Sequence, residues 1–184
     1  KDNRGVMYFG GQENGVITYD GYSWGKIDIG DNPRIFSMEV DDEGVVYVGA
    51  ASEFGYLIVD EGGSIKYNSL IPKIDSTEAA GLGYVYSILV SGDSVIYSTT
   101  KKFFTYYPDS DSVRIIDHSD TYRTVNQMWK IDDKIIVGDN ADGLLELKNE
   151  ELIPLKGGDA FAYSFVGFLV KGKSEGDLFV GSYD

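Results

Sequence analysis

The chain has 184 residues, 42% of them hydrophobic, with 30 acidic against 16 basic side chains for a net charge of −14, and no cysteine. Such a chain can bury a core, but its acidity repels phosphate backbones and anionic lipid surfaces, so neither nucleic-acid nor membrane contact is expected. Without cysteine there are no disulfides, thiolate metal sites or thiol nucleophiles, and no apolar run reaches the roughly 18 residues of a membrane-spanning helix.

Short β-branched and aromatic runs, separated by Asp, Gly, Asn and Ser turns, predict strands from end to end. The first unit holds Val6–Phe9 between Gly5 and Gly10, then Val16–Tyr19, then Trp24–Ile29 beyond the Asp20-Gly21 turn. The second opens with Ile35–Val40 and continues with Val45–Val48, Tyr56–Val59 and Ile65–Tyr67. A turn-rich stretch, 68–84, follows, with Pro72 and one short helical turn expected over Ser76–Ala80. The third unit repeats the order as Val85–Val90, Ser94–Thr99, Phe103–Tyr106 and Val113–Ile116, and the fourth as Val125–Ile131, Ile135–Val137, Leu144–Leu147 and Leu152–Leu155. The fifth has Phe165–Val170 and Leu178–Val180. No window holds apolar residues at helical spacing for three turns.

The matching central residues Tyr8, Tyr47, Tyr97, Ile136 and Phe179 are 39, 50, 39 and 43 residues apart. Four short strands per unit at a period near 40–45 residues mark a β-propeller. The expected fold is all-β, with about four and a half four-stranded blades. The expected blade spans are 1–30, 34–70, 84–117, 124–158 and 164–184. A β-sandwich is the weaker alternative, because the flanks match four times over. Naming the strands a to d from the axis outward, unit one lacks strand a and unit five stops after strand b. The chain is therefore expected to be a segment of a larger propeller, with unpaired edges that favour a homodimer. The high Gly count, 23 residues, falls at the end of strand b or the start of strand c, and the 14 tyrosines suit packing between sheets with hydroxyls at the rim.

The segment Ile35–Gly49, an apolar strand followed by Asp41-Asp42-Glu43-Gly44, a Val-Val-Tyr-Val strand and Gly49, resembles the two-component regulator propeller repeat. Glu53-Phe54-Gly55-Tyr56-Leu57 is similar to a variant in large regulators that carry a propeller and a triple-tyrosine domain. Unit three departs from the pattern at Ser94, Thr99 and Lys102, and unit four at Asp133. The resemblance implies an extracytoplasmic (periplasmic or extracellular) sensor, joined in its parent receptor to a transmembrane helix and a kinase or DNA-binding output. It carries over no ligand.

Chemistry is sparse. His118, the single histidine, sits among Asp117, Ser119 and Asp120 without a positioned nucleophile, and a solvated loop position is expected. Asp139–Gly143 and Asp41–Gly44 lack the ligand spacing of a calcium loop and suit turns instead. Thr18–Trp24 resembles the Asp-box turn of sialidase-like propellers but is one residue short between Asp20 and Gly21. No pair of carboxylates stands out for glycoside hydrolysis. No cofactor, metal site or catalytic residue is therefore expected.

In a four-stranded blade the b–c and d–a connections emerge on one face, where ligands usually sit. The candidates there are Gln12, Glu13, Asn14, Glu53, Asp139, Asn140 and Asp142, with Tyr84 and Trp129 as aromatic platforms. Ordinary solvated loop positions compete with this assignment for the polar residues, and blade packing competes for Trp129. The expected function is non-catalytic sensing of a soluble ligand, an oligosaccharide or similar. The alternatives are a protein–protein interaction propeller of a secreted or envelope assembly and, further off, a propeller glycosidase or lyase.

Overall fold

The structure is a computed structural model, which describes residues 1–13, 15–60, 62–118, 125–174 and 176–183, with residues 125 and 126 described by backbone only. Among the described residues, five antiparallel sheets follow one another along the chain. The first is β1 (Met7–Gly10), β2 (Val16–Tyr19) and β3 (Trp24–Ile27). The second is β4 (Ile35–Val40), β5 (Val46–Ala50), β6 (Glu53–Val59) and β7 (Ile65–Ser69). The third is β8 (Ser87–Ser91), β9 (Ser94–Ser98), β10 (Lys102–Tyr107) and β11 (Ser112–Asp117). The fourth is β12 (Val125–Ile131), β13 (Lys134–Asp139), β14 (Gly143–Lys148) and β15 (Glu151–Pro154), and the last is β16 (Phe165–Lys171) with β17 (Leu178–Tyr183). Within each sheet the strands pair in sequence order, and β4 packs on β8, β8 on β12 and β12 on β16. The first strands of successive sheets thus lie side by side and the outer strands fan away. This is a partial β-propeller.

The core lies between blades rather than within one. Tyr47, Phe54, Leu82, Val85, Tyr97 and Phe104 fill the space between the second and third sheets. Val16, Ile27, Val46, Val48 and Leu57 fill that between the first and second, and comparable clusters join the third to the fourth and the fourth to the fifth. Tyr97 is fully buried, and its hydroxyl crosses to the neighbouring blade to donate to the Gly55 carbonyl at 2.8 Å. Burial pushes its phenol well above the ordinary value, so it stays a donor.

Glycine at the end of strand b has a packing reason. A Cβ on Gly10 would stand 2.8 Å from Ile35 Cγ2, and one on Gly49 would stand 2.6 Å from Val85 Cγ1. Each of these glycines lets a β-branched residue at or just ahead of the next blade's inner strand press against the backbone. Main-chain bonds reinforce the seam. Ile35 N–H donates to the Gly11 carbonyl, Val85 N–H to that of Ala50, and Tyr163 N–H to that of Asn140.

In the first two blades the turn ahead of strand b is closed by aspartate. Asp41 accepts from the N–H groups of Glu43 and Val45 and from the Tyr47 hydroxyl at 2.9 Å. Asp2 does the same with Arg4 N–H, Val6 N–H and the Tyr8 hydroxyl, and also holds the Arg4 guanidinium at 2.7 Å. Gly44 and Gly5 complete these turns with φ of 88° and 90°.

One local expectation shifts. The third blade's inner strand starts at Ser87 rather than Val85, because Tyr84 bridges Ala51 and Val85 bonds Ala50, both in the preceding blade. The helical turn at Ser76–Ala80 is present as α1, with Asp75 accepting from Thr77 N–H and Glu78 N–H. Lys102 at the start of β10 grips Glu78 at 2.8 Å and so pins α1 to the third blade.

Candidate functional site

The inner strands β4, β12 and β16 share an irregularity near their start. The register shifts between Ile35 and Ser37 in β4, between Val125 and Gln127 in β12, and between Val166 and Phe168 in β16. A bulge there re-aims one residue of the strand at the end where the b–c and d–a connections emerge. In the second sheet that residue is Phe36. The third sheet places Tyr86 just ahead of β8, where its N–H donates to the Ser98 carbonyl at 2.9 Å.

Phe36 becomes the hub of an aromatic group. Its ring centroid lies 4.9 Å from that of Tyr84 and 5.3 Å from that of Tyr86, and the two tyrosines are 5.8 Å apart, edge to face. Arg34 places its guanidinium 4.9 Å over the Phe36 ring. The Ser37 hydroxyl donates to the Val85 carbonyl at 2.8 Å and ties β4 to the approach of β8 beneath this group. Phe36 and Tyr86 are half-buried, Tyr84 is 50% exposed and Arg34 is exposed. The arrangement offers flat apolar area, phenol hydroxyls and one cation within reach of solvent.

Of the residues chosen from sequence, Tyr84 belongs to this group. Gln12 and Glu13 are exposed in the β1–β2 connection, and Asn14 lies outside the described residues. Glu53 is half-buried and turned into its own sheet, accepting from Phe54 N–H, the Tyr67 hydroxyl and the Ser69 hydroxyl at 2.9, 3.0 and 2.7 Å. Burial and the Glu53 carboxylate push the Tyr67 phenol far above its ordinary value. Asp139 is buried and accepts from Ala141 N–H and Asp142 N–H, closing the turn that contains Asn140 and the half-buried Asp142. Trp129 is half-buried in the cluster between the fourth and fifth blades, its ring edge against Gly138. The structure therefore brings Tyr84 together with Arg34, Phe36 and Tyr86, which sequence reasoning did not select. Phe36 and Tyr86 read there as ordinary strand residues, and a bulge leaves no mark in a period-two pattern.

His118 is a correction. It is half-buried, its ring 4.4 Å from that of Phe103, rather than solvated, because the backbone N–H bonds the Lys101 carbonyl and holds the side chain over β10. Among the described residues, no group of three or more His, Asp or Glu side chains is placed to hold a metal ion. On the opposite face, clefts of about 470 and 500 Å³ open between the first and second and the second and third blades. The Asp–Tyr turns wall them, with carboxylates already engaged by their own backbones.

The fold is that of a β-propeller segment. No family model matches the chain, and no curated protein matches it. Several solved structures do. The extracellular domain of the hybrid two-component system BT4673 of B. thetaiotaomicron is similar with a TM-score of 0.68 at 19% identity, over 99% of this chain and 24% of that one. PorZ of Porphyromonas gingivalis, a bacterial surface component of the type-IX secretion system, gives 0.66 at 15% identity, over 97% and 30%. Virginiamycin B lyase from Staphylococcus aureus gives 0.65 at 13% identity, over 97% and 60%. The chain thus spans about a quarter of the extracellular domain it matches. The extracellular domains of two-component systems that match the chain share this propeller architecture, which the repeat at Ile35–Gly49 implied.

Proposed function

We propose that the chain is a non-catalytic, ligand-sensing propeller segment of a membrane-spanning signalling regulator, lying on the extracytoplasmic side. The observation that carries this reading is the Phe36–Tyr84–Tyr86 group on the face where the b–c and d–a connections emerge. Aromatic faces beside hydroxyl groups suit the apolar and polar sides of a sugar ring, so a soluble oligosaccharide is the ligand class. The similarity to extracellular domains of two-component systems supports the sensor role. The likeness to PorZ favours a second reading, an interaction propeller in an envelope assembly.

Thermal-shift and calorimetric titration of the chain with a panel of neutral and acidic oligosaccharides tests the proposal. At least one glycan is expected to bind, and Tyr84→Ala is expected to abolish that binding with the fold intact. No binding across the panel, together with capture of a single envelope protein at the same face, would favour the second reading. Turnover of any glycan would establish an enzyme.

A further inference from the structure

The geometry points to an anionic sugar as the ligand of the Phe36–Tyr84–Tyr86 face, recognised through Arg34. This rests on the oligosaccharide reading above and narrows it. Acids outnumber bases by nearly two to one, so an arginine on this surface would ordinarily find a carboxylate. Arg4 does, with Asp2, and Arg114 does, with Glu150. Arg34 is in no ion pair among the described residues and instead lies over the Phe36 ring. Asp31, three residues earlier in the same connection, forms no ion pair with it, and neither does Glu53, whose Oε1 accepts from Tyr67, Ser69 and the Phe54 N–H.

With its guanidinium carbon 4.9 Å from the Phe36 ring centroid and no carboxylate on it, Arg34 keeps an edge of N–H groups for a ligand. That edge is a planar fork suited to a carboxylate or sulfate. Phe36 lies beneath the fork, and Tyr84 offers a half-exposed ring 4.9 Å from Phe36 on which the sugar ring itself can stack. The chain's net charge of −14 repels anions in general, so attraction at this point is local and confers selectivity rather than non-specific binding.

The test is calorimetric titration of the chain with three probes: an oligogalacturonide, the same oligosaccharide with its carboxylates methyl-esterified, and a sulfated oligofucose. The acid is expected to bind about 10- to 100-fold more tightly than its ester. Arg34→Gln should erase that difference, Arg34→Lys should restore part of it, and thermal melting should stay unchanged for both variants. Preference for the sulfated probe with the same Arg34 dependence supports the inference and names sulfate as the anion. Equal affinity for acid and ester, or acid binding indifferent to Arg34→Gln, overturns the inference while leaving the oligosaccharide reading in place. Failure of all three probes and of the neutral panel overturns both.

Discussion

Asp2 and Tyr8 reproduce, six residues apart, the clamp that Asp41 and Tyr47 make in the next blade. The Asp2 side chain is almost wholly buried, which by itself would raise its pKa. Hydrogen bonds from Arg4, Tyr8 and the Val6 N–H outweigh that burial and hold the carboxyl below its ordinary value of 3.8. The same burial and bond push the Tyr8 phenol up to about 12. A carboxyl depressed in the folded state contributes stability above its unfolded pKa of about 3.9 and loses it as the pH falls through the folded value. The melting temperature is therefore expected to drop steeply below about pH 4, and Asp2→Asn to be less stable at neutral pH with a flatter acid limb. Parallel acid limbs for the two proteins, followed by circular dichroism, would contradict this assignment. The Asp, Gly and Tyr of the clamp were visible in sequence as turn chemistry and a strand tyrosine. That they bond to one another was not, since the hydroxyl's partner depends on which way the strand faces.

Among the elements, the seam between blades is where sequence and packing meet most closely. Gly49 stands next to last in β5, where Val85 presses on it from the approach to the next blade and Ser37 from its own. Gly49→Ala inserts a methyl where a neighbour must shift, and a loss of about 1–3 kcal/mol is expected from urea denaturation. An unchanged midpoint with an unchanged slope would show the seam to be looser than this packing. The repeated glycine was legible because it recurs at one place in four of the five units. Its reason was not, because Val85 lies beyond the long connection that carries α1 and was expected to open a strand. The inner-strand bulges escaped for a related reason: one extra residue alters the register without altering composition.

For the whole molecule, the two outermost sheets present apolar faces. Trp24 is 66% exposed, beside Phe9, and Phe179 is 64% exposed, beside Phe168 and Val170. Patches of this kind associate. The 184-residue chain on its own is expected to form concentration-dependent dimers or larger species by analytical ultracentrifugation, and Trp24→Glu with Phe179→Glu to shift it to monomer. A wild-type chain that sediments as monomer at every concentration would remove the homodimer proposal.

The sequence by itself determined what is local and periodic: the strand order, the four-stranded unit, the turn aspartates, the glycines at the end of strand b and the short helix at Ser76–Ala80. Each follows from side-chain alternation, turn propensity and recurrence, which act over a few residues and repeat from unit to unit. Only the tertiary structure decided which side chains converge. It turned Glu53 inward to Tyr67 and Ser69, laid His118 on Phe103, seated Trp129 on Gly138, and gathered Arg34, Phe36, Tyr84 and Tyr86 from two blades into one face. Those outcomes depend on the angle between blades and on bulges that re-aim single residues, and neither quantity is written in the spacing of apolar residues along the chain.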